Sequence, residues 1–280
     1  MEYKGFFKTV AGNEGDRCKY STRLDTYGKG CAHNCAYCYA RSLLAFRGYW
    51  DPANPAVADL NKIRQTVFRS LHPGDVVRLG GMTDCFQPAE RKYGATRRTI
   101  QMLNDRRVHY LIVTKSPLVG EYADVMDPEL AHIQVSVTST YASISKRIEP
   151  GAALPHLRIA AVEALQAGGF DVAVRLSPFI PEFIDPDAIK AIQCDKILVD
   201  FLRINGFIRK WLTGISFDDY TLKFGGYSHL PLYIKLRLID TIKDGFKQVS
   251  VCEDVPDHWE YWRDNVNANP DDCCNLNFGR

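Results

Sequence analysis

Short apolar, β-branched runs that alternate with helix-like stretches constrain the fold of this chain more than any other feature. The runs fall at residues 75–81, 109–115, 132–138, 171–177 and 196–201, with an earlier one near 23–27. Helix-like stretches lie at 36–48, 90–105, 118–126, 157–168 and 187–194. Such alternation predicts βαβ units around a parallel sheet. Six units predict an α/β fold built as a partial (β/α)6 TIM-like barrel; an open doubly wound sheet is the alternative. The expected division is a core barrel over residues 1–200. An extension over 201–280 then closes the barrel and shapes a substrate pocket.

Polar residues end nearly every run: Gly80-Gly81-Met82-Thr83-Asp84, Thr114-Lys115-Ser116, Ser136-Val137-Thr138 and Arg175-Leu176-Ser177-Pro178. In parallel α/β folds the active site lies at the carboxyl ends of the strands. The same residue types also cap helices, which is the structural alternative.

The chain has 280 residues, 35 Lys plus Arg and 33 Asp plus Glu, for a net charge of +2. This balance does not announce a nucleic-acid binder, and it leaves room for a local basic patch. No apolar run reaches the ~18 residues of a membrane span. Met1-Glu2-Tyr3-Lys4-Gly5 has no apolar core behind a basic start, so the expected location is the cytoplasm of a bacterial cell, or of an infected host for a phage-encoded chain. Nine cysteines are many for such a compartment, where clustered thiols point to metal or redox work.

Three of them form the spacing C-x3-C-x2-C in Gly30-Cys31-Ala32-His33-Asn34-Cys35-Ala36-Tyr37-Cys38. Three thiolates can hold three irons of a [4Fe–4S] cubane and leave the fourth iron open to a small molecule. S-adenosylmethionine (SAM) can chelate that iron through its amino and carboxylate groups. Zinc with His33 as a fourth ligand, or plain buried cysteines, are the alternatives.

C-x3-C-x-aromatic-C resembles the signature of the radical SAM superfamily, with Tyr37 as the aromatic beside the adenine. The resemblance extends to its spore photoproduct lyase-like branch. Its further elements are Tyr37-Cys38-Tyr39-Ala40-Arg41, Thr83-Asp84-Cys85-Phe86-Gln87-Pro88-Ala89-Glu90, Thr114-Lys115-Ser116, Glu149-Pro150-Gly151 with Arg158, and Pro178-Phe179-Ile180-Pro181. It implies a partial barrel with SAM held by Asp84, Lys115, Ser136 and Arg175. Lys115 and Arg175 suit the carboxylate; Ser136 and Asp84 suit ribose or amino contacts. It also implies an external electron donor such as flavodoxin or ferredoxin. The lyase's hydrogen-donating cysteine, near the end of its second strand, has no counterpart before Cys85, so no catalytic residue is assigned.

Cys252, Cys273 and Cys274 form a C-x20-C-C arrangement that can hold a second [4Fe–4S] cluster or a metal, with Cys18 or Cys194 as a fourth ligand; buried structural cysteines are the alternative. The resemblance points to a thymine-derived base in DNA as substrate, and to isomerisation of an amino-acid (glycyl) adduct of thymidine in phage hypermodification. A repair lyase, or an enzyme acting on a small molecule or peptide, is the alternative. Basic and aromatic candidates for the mouth are Arg91, Lys92, Arg97, Arg98, Arg203, Arg209, Lys210 and Trp211. Tyr220, Tyr227 and His229 are candidates for the pocket or the core.

Overall fold

The computed structural model describes residues 7–9, 18–63 and 68–278; Met1–Gly5, on which the absence of a leader was read, lie outside them. Seven parallel strands make the central sheet: β1 (Thr22–Leu24), β2 (Val76–Leu79), β3 (His109–Thr114), β4 (Ala131–Ser136), β5 (Asp171–Phe179), β6 (Lys196–Phe201) and β7 (Gln248–Cys252). They are ordered as in the sequence, and Phe7–Thr9 adds an antiparallel edge on β1. No pairing joins the two edges among the described residues, so the sheet is open, as a partial barrel requires. The expected α/β class holds. β4 is buried along its whole length, and β3 at four of six positions. Parallel strands are covered on both faces, which is why they appear as continuous apolar runs.

Several helices differ from expectation for local reasons. The stretch 90–105 is broken at Gly94, whose φ of 58° ends Ala89–Tyr93 and starts the next helix, Ala95–Asn104. Residues 118–126 tighten into a 3-10 turn, Pro117–Tyr122, capped by Ser116. Residues 187–194 shrink to Pro186–Lys190. Ala142–Ile148, with too few apolar positions to show periodicity, is an additional helix. The first run also splits: β1 stops at Leu24, and Tyr27–Gly28 pairs with Ala56–Val57 in a separate ribbon.

The expected boundary at residue 200 does not divide the sheet. β7 pairs with β6 from Gln248↔Lys196 to Cys252↔Asp200. The run Gln248-Val249-Ser250-Val251-Cys252 is short and interrupted by serine, so it lacks a strong apolar signature. The final helix, Pro256–Asn265, lays Trp262 into the core, where its ring stacks on Phe201 of β6 at 6.4 Å. Trp262 is fully buried. Trp262→Ala is therefore expected to destabilise the whole protein by about 3–5 kcal/mol. Chemical denaturation would show one cooperative transition shifted to lower denaturant; a second, separate transition would mean that residues 201–280 fold alone.

Candidate functional site

The loop 28–38 follows the Tyr27–Gly28 ribbon, crosses the carboxyl ends of the strands and ends where Cys38 caps the helix α1 (Tyr39–Phe46). Its shape is held by its own turns and by three neighbours. Asn34, at a φ of 47°, turns the chain between the first two cysteines, and its amide donates to Cys31 O at 3.0 Å. The Ala32 amide donates to Gln87 Oε1 at 2.9 Å. His33 sets Nε2 against Asp84 Oδ2 and Nδ1 against Gly151 O, both at 3.1 Å. A Cβ on Gly151 would lie 1.8 Å from Ala32 O, so only glycine lets the 149–151 segment press this close.

Two buried carboxylates organise these contacts. Asp84 Oδ1 accepts from the Phe86 amide at 2.8 Å and the Thr114 hydroxyl at 2.7 Å; Oδ2 accepts from the Lys115 amide at 2.7 Å and faces His33. Its lone pairs are thus taken by the chain. Burial alone would raise its carboxyl, but His33 and these donors hold it down at about 2. Glu149 accepts from the Tyr37 hydroxyl and from Arg158, whose Nε also donates to Ala153 O at 2.7 Å. Burial pushes the Glu149 carboxyl up, against the pull of Arg158.

The thiols of Cys31, Cys35 and Cys38 line one cavity at these strand ends. Burial pushes Cys31 up to about 12 and Cys35 well above the ordinary thiol. Burial also raises Cys38, although the Arg41 amide donates to its sulfur at 3.4 Å and Lys115 faces it. Such thiols give up their protons to a metal cluster, whose positive charge replaces them. Both ring nitrogens of His33 face oxygen acceptors, which leaves none for zinc. Among the described residues no three His, Cys, Asp or Glu side chains group as ligands of a single ion. The donor set therefore fits a [4Fe–4S] cluster, whose thiolates bind different irons, better than zinc.

The strand-end candidates share this cavity: Tyr37, Asp84, Lys115, Ser136 and Arg175 all line it. Lys115 Nζ lies 5.5 Å from the Tyr37 ring centroid and 3.4 Å from Ser177 O. Burial lowers its pKa, with Cys35 opposing. Arg175 is already engaged: it donates to Gln134 Oε1 at 2.7 Å and to Asp200 Oδ2 at 3.2 Å. Cys252, Cys273, Cys274 and Cys18 line the same cavity. Cys194 instead bonds to carbonyls of Val172 and Lys196, and Cys85 is buried in the core; neither lines the cavity.

Of the candidates for DNA contact, Arg203 reaches the cavity; it sits 5.8 Å from the rings of both Tyr39 and Tyr227 and pairs with Asp254. Arg91 pairs with Glu121 at 2.6 Å, Arg97 pairs with Asp124, and Lys92 and Arg98 turn to Tyr93, all outside the cavity. Trp211 stacks under Arg41 at 4.2 Å, Arg209 lies over Phe217, and Lys210 is exposed on the same short helix. Tyr227 lines the cavity, whereas Tyr220 belongs to the core and His229 is buried with Nε2 on Phe224 O. Of the three, left open between pocket and core, Tyr227 thus falls to the pocket and Tyr220 and His229 to the interior.

Sequence reading passed over Arg78 and Asp200, which line the cavity. Arg78 is the charged member of Val76-Val77-Arg78-Leu79, and Asp200 interrupts the apolar run Ile197-Leu198-Val199 before Phe201 in β6, whose other charge, Lys196, sits at the strand's start. A charge that breaks such a run marks an inward-facing functional position, and this signal was available. Glu149 was seen as a motif without a partner; its link to Tyr37 spans 112 residues and exists only in the fold.

The family model described as the radical SAM superfamily matches residues 26–193. An uncharacterized protein of Methanocaldococcus jannaschii is 28% identical over 162 residues, covering 57% of this chain and 61% of that protein. An uncharacterized protein of Mycobacterium tuberculosis is 27% identical over 201 residues, covering 65% of this chain and 59% of that one. The chain thus spans about three fifths of the length of the curated relatives it matches. Among solved structures, spore photoproduct lyase complexed with a dinucleoside spore photoproduct superposes with a TM-score of 0.66 at 15% identity, covering 89% of this chain and 80% of that chain. A lyase variant with bound AdoMet and the same dinucleoside gives 0.63 at 14% identity. At these identities the likeness is one of fold.

Two outcomes follow from the clamp around the loop. Gly151→Ala is expected to abolish iron incorporation on anaerobic reconstitution, measured by iron and sulfide assay, because the added methyl has no room beside Ala32 O. Asp84 sits lower in the folded chain than the ~3.9 of a free carboxyl, so its ionised form stabilises the fold. That contribution is complete above pH ~4 and is lost as pH falls toward 2. Urea titrations of the cluster-free protein would show Asp84→Asn less stable than wild type at pH 6, with the gap closing in acid.

Proposed function

The chain belongs to the radical SAM superfamily, and on that premise we propose that it uses a 5′-deoxyadenosyl radical to abstract hydrogen from a thymine-derived base in DNA, isomerising an amino-acid (glycyl) adduct of that base in phage DNA hypermodification. The superfamily uses a [4Fe–4S] cluster and SAM. Bound at Cys31, Cys35 and Cys38, that pair supplies one-electron cleavage of the sulfonium. The electron comes from an external donor such as flavodoxin or ferredoxin.

The observation that supports this reading is the content of a single cavity. It is lined by the three thiols, Tyr37 and Lys115, and by Arg203, which sits 5.8 Å from the rings of both Tyr39 and Tyr227. Lys115 is placed to meet the SAM carboxylate. Arg175, held by Asp200, orients the carboxylate side of the cavity, and Ser136 at the end of β4 offers a hydroxyl to the ribose. Asp84 positions the loop by holding His33 and the Lys115 amide. A guanidinium flanked by two tyrosine rings suits a flat base taken out of its stack. Outside the cavity, α1 exposes Leu43, and Phe46 is 77% exposed. These side chains and the Arg41–Trp211 stack give an aromatic and basic surface next to the loop.

A repair lyase is the second reading, favoured by the fold of the lyase complexes. Against it, Gly80, Gly81, Met82 and Thr83 line the cavity at the end of β2 without a thiol, and Cys85 is buried away from it. Action on a small molecule or peptide draws its support from the near-neutral charge. No helix among the described residues is long and apolar enough to cross a membrane.

The test is anaerobic turnover with a thymidine oligonucleotide carrying a glycyl adduct deuterated at its α-carbon. Deuterium in 5′-deoxyadenosine or recovered SAM, together with DNA binding that weakens steeply with salt, is the expected result. SAM cleavage that ignores the oligonucleotide, with binding indifferent to salt, would sink the DNA reading. Lys115→Met is expected to weaken SAM binding roughly 10–100-fold while iron loading stays unchanged, since a hydrogen bond to a charged group contributes about 1.5–3 kcal/mol.

A further inference from the structure

Seven of the nine cysteines line the same cavity, in two sets. Cys31, Cys35 and Cys38 form one. The other draws Cys18 from the segment before β1, Cys252 from the carboxyl end of β7, and Cys273 and Cys274 from the tail after the final helix. Cys252 and Cys274 push the Cys273 thiol well above its ordinary value, and burial, then Cys274 and Cys252, raise Cys18. All four are free thiols.

The surrounding chain is built to keep them together. Buried Tyr20, two residues after Cys18, donates to Asp272 Oδ2 at 2.6 Å, tying the first segment to the tail. Asp272 Oδ1 accepts from the Cys274 amide at 2.9 Å, and Oδ2 from the Leu276 amide at 3.2 Å. Lys196 Nζ donates to Asn275 O at 2.8 Å, and the Asn277 amide to Asp171 Oδ2 at 2.8 Å. Asn267 Oδ1 accepts from the Val251 amide at 2.7 Å, fixing the strand that carries Cys252.

The charges around the set are mixed: Asp272 raises the Cys274 thiol, and Arg175 and Arg78 lower it. Arg175 and Arg78 line the same cavity, and the buried Nε of Arg78 finds no hydrogen-bond partner. A buried, unpartnered guanidinium nitrogen is costly unless something anionic is bound nearby. We propose that Cys18, Cys252, Cys273 and Cys274 hold a second iron–sulfur cluster in the cavity that the first three thiols also line. Four thiolates occupy every corner of a [4Fe–4S] cubane. The second cluster then has no open iron, and SAM chelation is confined to Cys31, Cys35 and Cys38. This assignment goes beyond the proposed reaction and does not depend on its substrate.

The test separates the two sites. A Cys31→Ala/Cys35→Ala/Cys38→Ala variant, reconstituted anaerobically with iron and sulfide, is expected to keep roughly four irons and four sulfides and an EPR signal after reduction, although it cleaves no SAM. Zinc alone, or no metal, in this variant overturns the second cluster and leaves the proposed function standing. Should that variant not fold, the wild type is compared with Cys252→Ser/Cys273→Ser/Cys274→Ser. A fall from roughly eight irons to four supports the cluster, and four irons in both overturns it. Adding Cys18→Ala to the first variant is expected to lower iron content or shift the EPR g-values. An unchanged spectrum and unchanged iron would remove Cys18 from the ligand set and leave an open iron instead.

Discussion

Everything at the active end hangs on the two buried carboxylates that hold the cysteine loop. Asp84 ties His33 to the ends of β2 and β3; Glu149 ties Tyr37 to Arg158. A buried carboxylate is tolerated only when its oxygens are fully satisfied, so each one dictates the position of several donors at once. With Gly151 packed against Ala32, this fixes a loop that has little regular structure of its own. Three thiols are thereby held in one orientation before any cluster arrives, which is the preorganisation a cofactor site needs.

The sheet supplies the second constraint. Its parallel strands all end on one side, so residues remote in sequence become neighbours by register. Ser136 lies opposite Arg175, and Asp200 lies opposite Cys252. Arg175 then bonds to Asp200 across the neighbouring strand. This row joins the SAM candidates to the second set of thiols. It explains why β7, well beyond residue 200, is as much a part of the site as β4.

The alternating runs in the sequence placed β2 through β6 correctly, because strands buried on both faces must be apolar. Helix boundaries were less legible. Gly94 interrupts one helix through its backbone conformation, and the 3-10 turn at Pro117–Tyr122 is selected by packing that no local pattern records. β7 is only weakly marked in the sequence, because Ser250 separates its two valines, Val249 and Val251. Among the site residues, Cys31, Cys35, Cys38, Tyr37 and Lys115 were visible as motifs. Arg78 and Asp200 were visible in principle as charges in apolar strands. Of the candidate DNA contacts, Arg91, Arg97 and Arg203 sit in ion pairs, and composition cannot tell a basic residue with an acidic partner from one without.

By itself the sequence determined the fold class and the first set of thiols, because strand–helix alternation and C-x3-C-x2-C spacing are local properties of the chain. Only the tertiary structure decided that Cys18, Cys252, Cys273 and Cys274 meet, that Cys85 and Cys194 stay outside, and that Asp84 supports the loop through His33 and the Lys115 amide. Such pairings span up to 252 residues, as between Tyr20 and Asp272. They follow from strand register and from the satisfaction of buried polar groups, neither of which is written at any one position of the chain.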